Sequence, residues 1–410
     1  MLTFVPVYAW LHRHHSMRPK NGQGASKKNN MATKNVLITG GAGFIGSNLA
    51  QALVSKGYEV TVLDNLSPQI HGEEPEQSQL YRSILGKVNF LKGDVRNRSD
   101  WEEALEGQQI VVHLAAETGT GQSMYEIEKY AEVNIKGTAI LLDILANQER
   151  RSVEKIIIAS SRAIYGEGKY QCPEHGIVYP GARSEADMSR GDFNVKCPVC
   201  GANAELLPTD EESKIHPTSI YGHTKQSQED LCMIFGRALK VPVVAYRYQN
   251  VYGPGQSLSN PYTGILSIFS TRIRNGNDLN IFEDGQESRD FVYIDDVVAA
   301  TILGIEKEEA NYGIYNVGSG VQTSVNEVAQ RLIEAYGTTT RSTVSGNFRL
   351  GDIRDNYADL SRISRELGYA PTVSFEEGIR RFTQWVVGQE IQEDSYSRSI
   401  EEMKQKGLLK

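Results

Sequence analysis

Long apolar runs, basic blocks and cysteines are all scarce in this chain. No run of 18 apolar residues occurs in its 410 residues, so nothing reads as a membrane-spanning helix and no membrane partner is expected. Beyond Lys27-Lys28 there is no basic block, and the net charge is −8. Nucleic acid is therefore not an expected partner. Only four cysteines are present, and Cys172, Cys197 and Cys200 fall within one short window. That is not the framework of a secreted disulfide domain, and it points to a reducing, cytoplasmic setting. Internal repeats are also missing.

What remains is a chain that is 40% hydrophobic and 23% charged, the composition of a globular protein with a sizeable core. Leu2 to Leu11 is a short apolar run, but its Arg and His follow it and no small-residue cleavage site comes after. It is not read as a signal peptide. Gly22 to Asn30 is polar and low in complexity. Residues 1–33 are expected to be a disordered extension, with Met31 as the natural start.

Regular patterning begins at Asn35. Asn35 to Thr39 reads as a buried strand, Gly40-x2-Gly43-x2-Gly46 as a turn opening a helix to about Lys56, and Glu59 to Leu63 as a second strand ending at Asp64. This is a βαβ unit. Residues 65–86 look like loop. Lys87–Lys92, Gln109–Leu114 and Lys155–Ser160 read as further strands, and 123–148 as one long helix. The alternation predicts an α/β fold, a Rossmann-type doubly wound parallel sheet. The insert 166–218 breaks the rhythm, which resumes with the helix after Ser219 and the strand Pro242–Tyr246. The expected organisation is a dinucleotide-binding domain over 34–248, a smaller substrate-binding lobe over 249–390 and a C-terminal tail over 391–410.

A glycine turn between strand and helix is where a pyrophosphate approaches the backbone. An acid at Asp64 suits a ribose 2′-hydroxyl and repels a 2′-phosphate, which favours NAD over NADP. Tyr221 and Lys225 lie four apart on one helix face, where an ammonium would lower the phenol's pKa and make a general base. Tyr125 and Lys129 repeat the spacing, and that pair is read as structural.

The glycine spacing, with Gly93-Asp94-Val95, His113-Leu-Ala-Ala116, Asn134-Ile-Lys-Gly137, Ser160-Ser161, Tyr221-x3-Lys225, Arg247-Tyr-Gln-Asn250, Arg289-Asp-Phe-Val292 and Arg349-x-Gly-Asp352, resembles the extended short-chain dehydrogenase/reductase family, specifically its nucleotide-sugar epimerases and dehydratases. The resemblance covers residues 35 to about 388. It implies Ser161, Tyr221 and Lys225 as catalytic residues, with Lys225 also holding the nicotinamide ribose. It implies Gly40, Gly43, Phe44, Ile45, Gly46, Asp64, Asn65, Asp94, Val95, Leu114, Ala115, Ala116 and Asn134 around NAD. A nucleotide-diphosphate sugar would meet Thr118, Ser161, Asn250, Arg289, Arg349 and Asp352, the two arginines holding the pyrophosphate.

Family dehydratases carry an Asp-Glu pair after the serine, and here Arg162-Ala163 follows Ser161. Without that acid, elimination is disfavoured and C4 epimerisation expected. A keto-sugar reductase, a uronate 4-epimerase and a dinucleotide-sensing protein are the rivals. Three stretches, Tyr246–Tyr262, Thr118–Gln122 and Gln171–Tyr179, resemble the branch that includes dTDP-L-rhamnose 4-epimerases. The family also implies a homodimer through helices at 123–148 and 219–239.

Within the insert, Cys172-x2-His175 and Cys197-x2-Cys200 have the spacing of a tetrahedral structural zinc site. Free thiols or a Cys197–Cys200 redox pair are the alternatives, and His216 is a competing ligand. No open coordination position is apparent, so metal catalysis is not expected. Cys232 is read as core.

Overall fold

Seven short stretches rich in Val, Ile and Leu form one parallel sheet, buried because helices cover both faces. The computed structural model describes residues 34–260, 262 and 264–410; the expectations for residues 1–33 lie outside them. The strands are β1 (Asn35–Thr39), β2 (Glu59–Asp64), β3 (Asn89–Lys92), β4 (Ile110–His113), β5 (Lys155–Ser161), β6 (Val243–Tyr248) and β7 (Ile314–Val317), ordered β7-β6-β5-β4-β1-β2-β3. All neighbours run parallel, with Leu37 opposite both Thr61 and Val111. This is the expected Rossmann-type arrangement. The order reverses between β1 and β4, which opens a crevice at the strands' C-terminal ends. Thr39, Asp64, His113, Ser161 and Tyr248 all stand at those ends.

The helices α1 (Phe44–Ser55) and α2 (Ile220–Leu239) lie on opposite faces and bury Leu49 and Leu53 on one side, Cys232 and Met233 on the other. Cys232 is core, as read. β7 comes from the C-terminal half of the chain yet completes the first sheet. Residues 250–252, 288–293, 322–324 and 355–356 build a smaller mixed sheet.

Three expectations need correction. Residues 65–86 are not loop: Pro68–His71 and Gln79–Ile84 are short helices, and Ile84 packs into the core. Their single turns are too short to show a period in the sequence. The stretch 123–148 is not one helix. A turn at Met124-Tyr125 separates a single turn, Thr120–Ser123, from the helix that runs through Ile127–Tyr130 and Gly137–Asn147, with a π-helical segment at Ala131–Lys136 between them. Ser123 bonds locally instead, donating to the Thr120 carbonyl (2.6 Å), a habit that competes with helix continuation. Finally, 391–410 holds the helix Tyr396–Gln405, after which Leu408 to Lys410 pairs with Phe348 to Leu350.

Candidate active site

Helix α1 starts at Gly43 with no side chain capping it. Its free first-turn N–H groups and its dipole face the crevice, an arrangement that attracts a phosphate. Gly46 lets helix and turn meet: a Cβ there would stand 2.3 Å from the Gly40 carbonyl oxygen. Gly40, Gly43, Phe44, Ile45, Gly46, Asp64, Asn65, Val95, Leu114, Ala115, Ala116, Thr118, Ser161, Tyr221, Lys225 and Asn250 all line this cleft. Asp64 is fixed by its backbone neighbours: the Ala42 N–H donates to Oδ2 (3.0 Å) and the Leu66 N–H to Oδ1 (2.8 Å). His71 lies 3.9 Å away. Burial raises the Asp64 carboxyl despite these partners. A buried carboxylate, a phosphate-ready helix terminus and small apolar walls at Ala115 and Ala116 fit a dinucleotide.

Two residues expected to meet the cofactor carry hydrogen bonds to the protein itself. Burial works to raise the Asp94 carboxyl, but two hydrogen bonds from the Arg96 side chain (3.0 and 2.8 Å) and one from Asn65 (3.0 Å) outweigh it and bring it to about 2. Gly93 and Val95, either side of it, are the cleft residues. Asn134 sits behind the wall, accepting from the Glu117 N–H (2.8 Å) and donating to Thr224 Oγ1 (2.9 Å). It ties the wall to α2, and the π-helical segment carries it there.

The reacting groups converge from two elements. Ser161 ends β5, and its Oγ accepts from the Ala163 N–H (3.1 Å), which sets its rotamer. Tyr221 opens α2, whose N-cap Ser219 accepts from the Gly222 N–H (3.1 Å). A Cβ on Gly222 would lie 2.6 Å from the Ala163 carbonyl oxygen. That close approach sets the Tyr221 phenol near the Ser161 hydroxyl, which draws the phenol's pKa down. Gly222 was not singled out in the sequence; its only signal was its place beside the tyrosine.

The expected electrostatic pairing is corrected. Burial raises the Tyr221 phenol, and the groups drawing it down are Ser161 and the Arg162 charge, not Lys225. Lys225 Nζ instead donates to Gln228 Oε1 (2.7 Å), and burial lowers its ammonium to about 7. Gln228 in turn donates to Thr138 Oγ1 (2.8 Å). His113, lowered to about 3 by burial and the Lys225 charge, bonds Thr39 (2.7 Å) and Thr138 (3.0 Å). Gln228 and His113 thus position Lys225; His113 stood in a quoted motif, whereas the i, i+3 spacing from Lys225 was the one sequence trace of Gln228. Ser160, beside Ser161 on β5, is buried with its Oγ unpartnered.

On the substrate side, Arg162 Nε donates to Asn250 Oδ1 (3.2 Å) within the cleft, a guanidinium that had been read only as a missing acid. Arg289 bonds the carbonyl oxygens of Ser288, Arg354 and Ile353 (2.7–2.9 Å). Arg349 and Asp352, expected to meet different parts of a nucleotide, pair with each other at 2.8 Å. They line a smaller neighbouring cavity with Met403 and Leu408 of the C-terminal segment.

Tyr125 is structural in its contacts. Lys406 lies over its ring at 4.7 Å, while Lys129 pairs with Glu117 (3.3 Å) and Glu126 (3.1 Å). The His216 ring nitrogens face the carbonyl oxygens of Lys214 (3.1 Å) and Pro180 (2.8 Å), to which they can only donate, and the residue takes no part in the cysteine cluster. Among the described residues no helix is long and apolar enough to cross a membrane.

Comparison with known proteins places this geometry. The family described as the NAD dependent epimerase/dehydratase family matches residues 36–181 and 197–318. A dTDP-L-rhamnose 4-epimerase of Burkholderia thailandensis is 39% identical over 86% of this chain and 95% of its own length. The structure of UDP-glucose 4-epimerase from Thermotoga maritima with UDP-glucose superposes with a TM-score of 0.69 at 30% identity, over 86% of this chain and 99% of that one. UDP-glucuronic acid 4-epimerase from Bacillus cereus, in complex with UDP-glucuronic acid and NAD, gives 0.68 at 27% identity, over 86% and 99%. With its glycine turn, its Ser161–Tyr221 pair and these likenesses together, the chain belongs to the NAD-dependent epimerase/dehydratase family.

Proposed function

We propose that this enzyme is a nucleotide-sugar 4-epimerase that converts dTDP-L-rhamnose to dTDP-6-deoxy-L-talose. The likeness to the Burkholderia enzyme along nearly its whole length carries the choice of substrate. The Arg162-Ala163 pair supports it by leaving no acid for dehydration.

NAD, held by the glycine turn, Asp64 and Lys225, would supply reversible hydride transfer at C4 of the sugar. The protein's residues do the rest. Tyr221 takes the C4 hydroxyl proton and gives one back after the sugar has turned. Ser161 orients that oxygen, and the Arg162 charge beside the phenol favours its ionised form. Lys225, at about 7, charges readily where a ribose hydroxyl or the phenolate meets it. Arg289, Arg349 and Asp352 hold the diphosphate and ribose, which requires the Arg349–Asp352 pair to open. Fixing the nucleotide leaves only the sugar to rotate. A homodimer through α2 fits its exposed Ile234, and sedimentation measures it.

The test is direct. The purified protein is denatured to release and identify any dinucleotide, then fresh protein is incubated with dTDP-L-rhamnose and no added cofactor. A 6-deoxytalose product by NMR is expected. No conversion of any dTDP-, UDP- or GDP-hexose ends the epimerase reading, and NAD(P)H consumed with turnover would favour a reductase.

One observation favours a second reading. Arg162, beside Asn250 in the cleft, is a cation suited to a sugar carboxylate. A nucleotide-uronate epimerised faster than dTDP-L-rhamnose would replace the first reading.

A further inference from the structure

We infer that Cys172, His175, Cys197 and Cys200 bind one zinc ion that holds the insert together and takes no part in the chemistry. The four ligand atoms all lie within 4.8 Å of one another. Cys172 Sγ is 3.7 Å from Cys200 Sγ and 3.5 Å from His175 Nδ1, and Cys197 Sγ is 3.8 Å from that same nitrogen. Ligands of a tetrahedral zinc, with bonds of about 2.0–2.3 Å, stand about 3.5–3.8 Å apart.

The two ligand pairs come on turns of one design. Cys172-Pro-Glu-His175-Gly176 and Cys197-Pro-Val-Cys200-Gly201 share the pattern Cys-Pro-x-ligand-Gly. Gly176 and Gly201 both take left-handed φ, +69° and +73°, which turns each chain back after its second ligand. The Val199 N–H points at Cys197 Sγ (3.5 Å), a donor that stabilises a thiolate.

The insert also needs what a metal gives. Its buried cluster is Tyr170, Cys172, Val178, Val195 and Cys197, two of them cysteines. So small a core does not hold three short strands unaided. Three thiolates and an imidazole select zinc, and four protein ligands leave no open position. None of the four lines the cleft. The metal clamps both ends of the stretch that carries Arg183, whose guanidinium binds Glu283 (2.7 Å) and the Asp352 carbonyl oxygen (3.0 Å). The clamp thereby braces the segment bearing Asp352.

The full chain, purified untagged under reducing conditions without added metal or chelator, should carry about one zinc by mass spectrometry of the metal. Replacing Cys172→Ser or Cys197→Ser should remove it, while Cys232→Ala should not. Because the serine variants could misfold, the parent is also produced in cobalt medium, where the visible bands of tetrahedral thiolate cobalt are expected. Less than about a tenth of a zinc per chain with no cobalt bands, an equivalent of iron in place of zinc, or a Cys197–Cys200 disulfide in protein kept reduced would each overturn the site.

Discussion

Tyr221 sits in a buried setting that opposes its own ionisation, and the Arg162 charge and Ser161 are what counter it. Changing Tyr221→Phe should lower epimerisation by about 10²- to 10⁴-fold and leave bound dinucleotide unchanged, as measured by turnover and by cofactor release. Lys225 allows a test of stability against pH. Its ammonium is lowered to about 7 by burial, from an ordinary 10.5. Below pH 7 both folded and unfolded chains carry the proton, and the cost of burying the charge is fully present. Between 7 and 10.5 the unfolded chain holds more protons, so stability rises with pH. Relative to Lys225→Met, the parent should therefore gain on the order of 2 kcal/mol between pH 7 and 9 in urea unfolding. A flat difference would show that the ammonium is not held down. The Tyr–Lys spacing was legible because it is local. Which cation faces the phenol was not, since Arg162 lies some 60 residues away along the chain and reaches Tyr221 only through β5.

The glycine turn separates two roles that a sequence pattern merges. A methyl at Gly46 meets a backbone oxygen at 2.3 Å, whereas at Gly43 the nearest atom is the same oxygen at 3.2 Å. Gly46→Ala should cost about 1–3 kcal/mol of stability and abolish dinucleotide binding. Gly43→Ala should fold almost as well and bind dinucleotide more weakly. Thermal unfolding and NAD titration of both variants separate the two effects. The C-terminal helix Tyr396–Gln405 makes a second case. Leu408 to Lys410 pairs with Phe348 to Leu350, which flanks the Arg349–Asp352 pair. Deleting 396–410 should raise KM for the nucleotide sugar more than it lowers kcat. An unchanged KM would mean that the segment does not shape the substrate site. Nothing in the composition of 391–410 marked it as part of that site, because its role depends on pairing with residues about 60 positions earlier.

Across the molecule, one buried network joins sheet, helix and insert. Arg247 on β6 pairs with Glu229 on α2 (2.5 and 3.1 Å) and donates to the Tyr165 hydroxyl (2.7 Å) and the Glu211 carbonyl oxygen (2.9 Å). Tyr165 passes the link to Asn316 on β7 (2.8 Å). Glu229→Gln should destabilise the protein by about 3–5 kcal/mol, because it leaves a buried guanidinium without its counter-charge. Urea unfolding checks this, and a loss below about 1 kcal/mol would mean that water or a neighbour replaces the carboxylate. Arg247 had been read as one letter of a family motif. Its work is to lock α2, and with it Tyr221, against β5 and β6.

Ser161 was legible only through the family resemblance. The alternation of strands and helices, the glycine turn, Asp64 at a strand end and the Tyr221 helix were readable from residue order, because they depend on short spacings that backbone geometry converts directly into a face or a turn. The paired Cys-x2 spacings were readable for the same reason. Long-range facts were not. The fold set Lys225 on Gln228, closed Arg349 on Asp352, paired Asp94 with Arg96 and Asn134 with Thr224, and brought β7 back into the first sheet. Each of these turns on which side chain lies nearest once distant segments pack. Burial then decides the charge states, as with Tyr221 raised and Lys225 lowered to about 7, because desolvation depends on everything that surrounds a group in space and not on its neighbours along the chain.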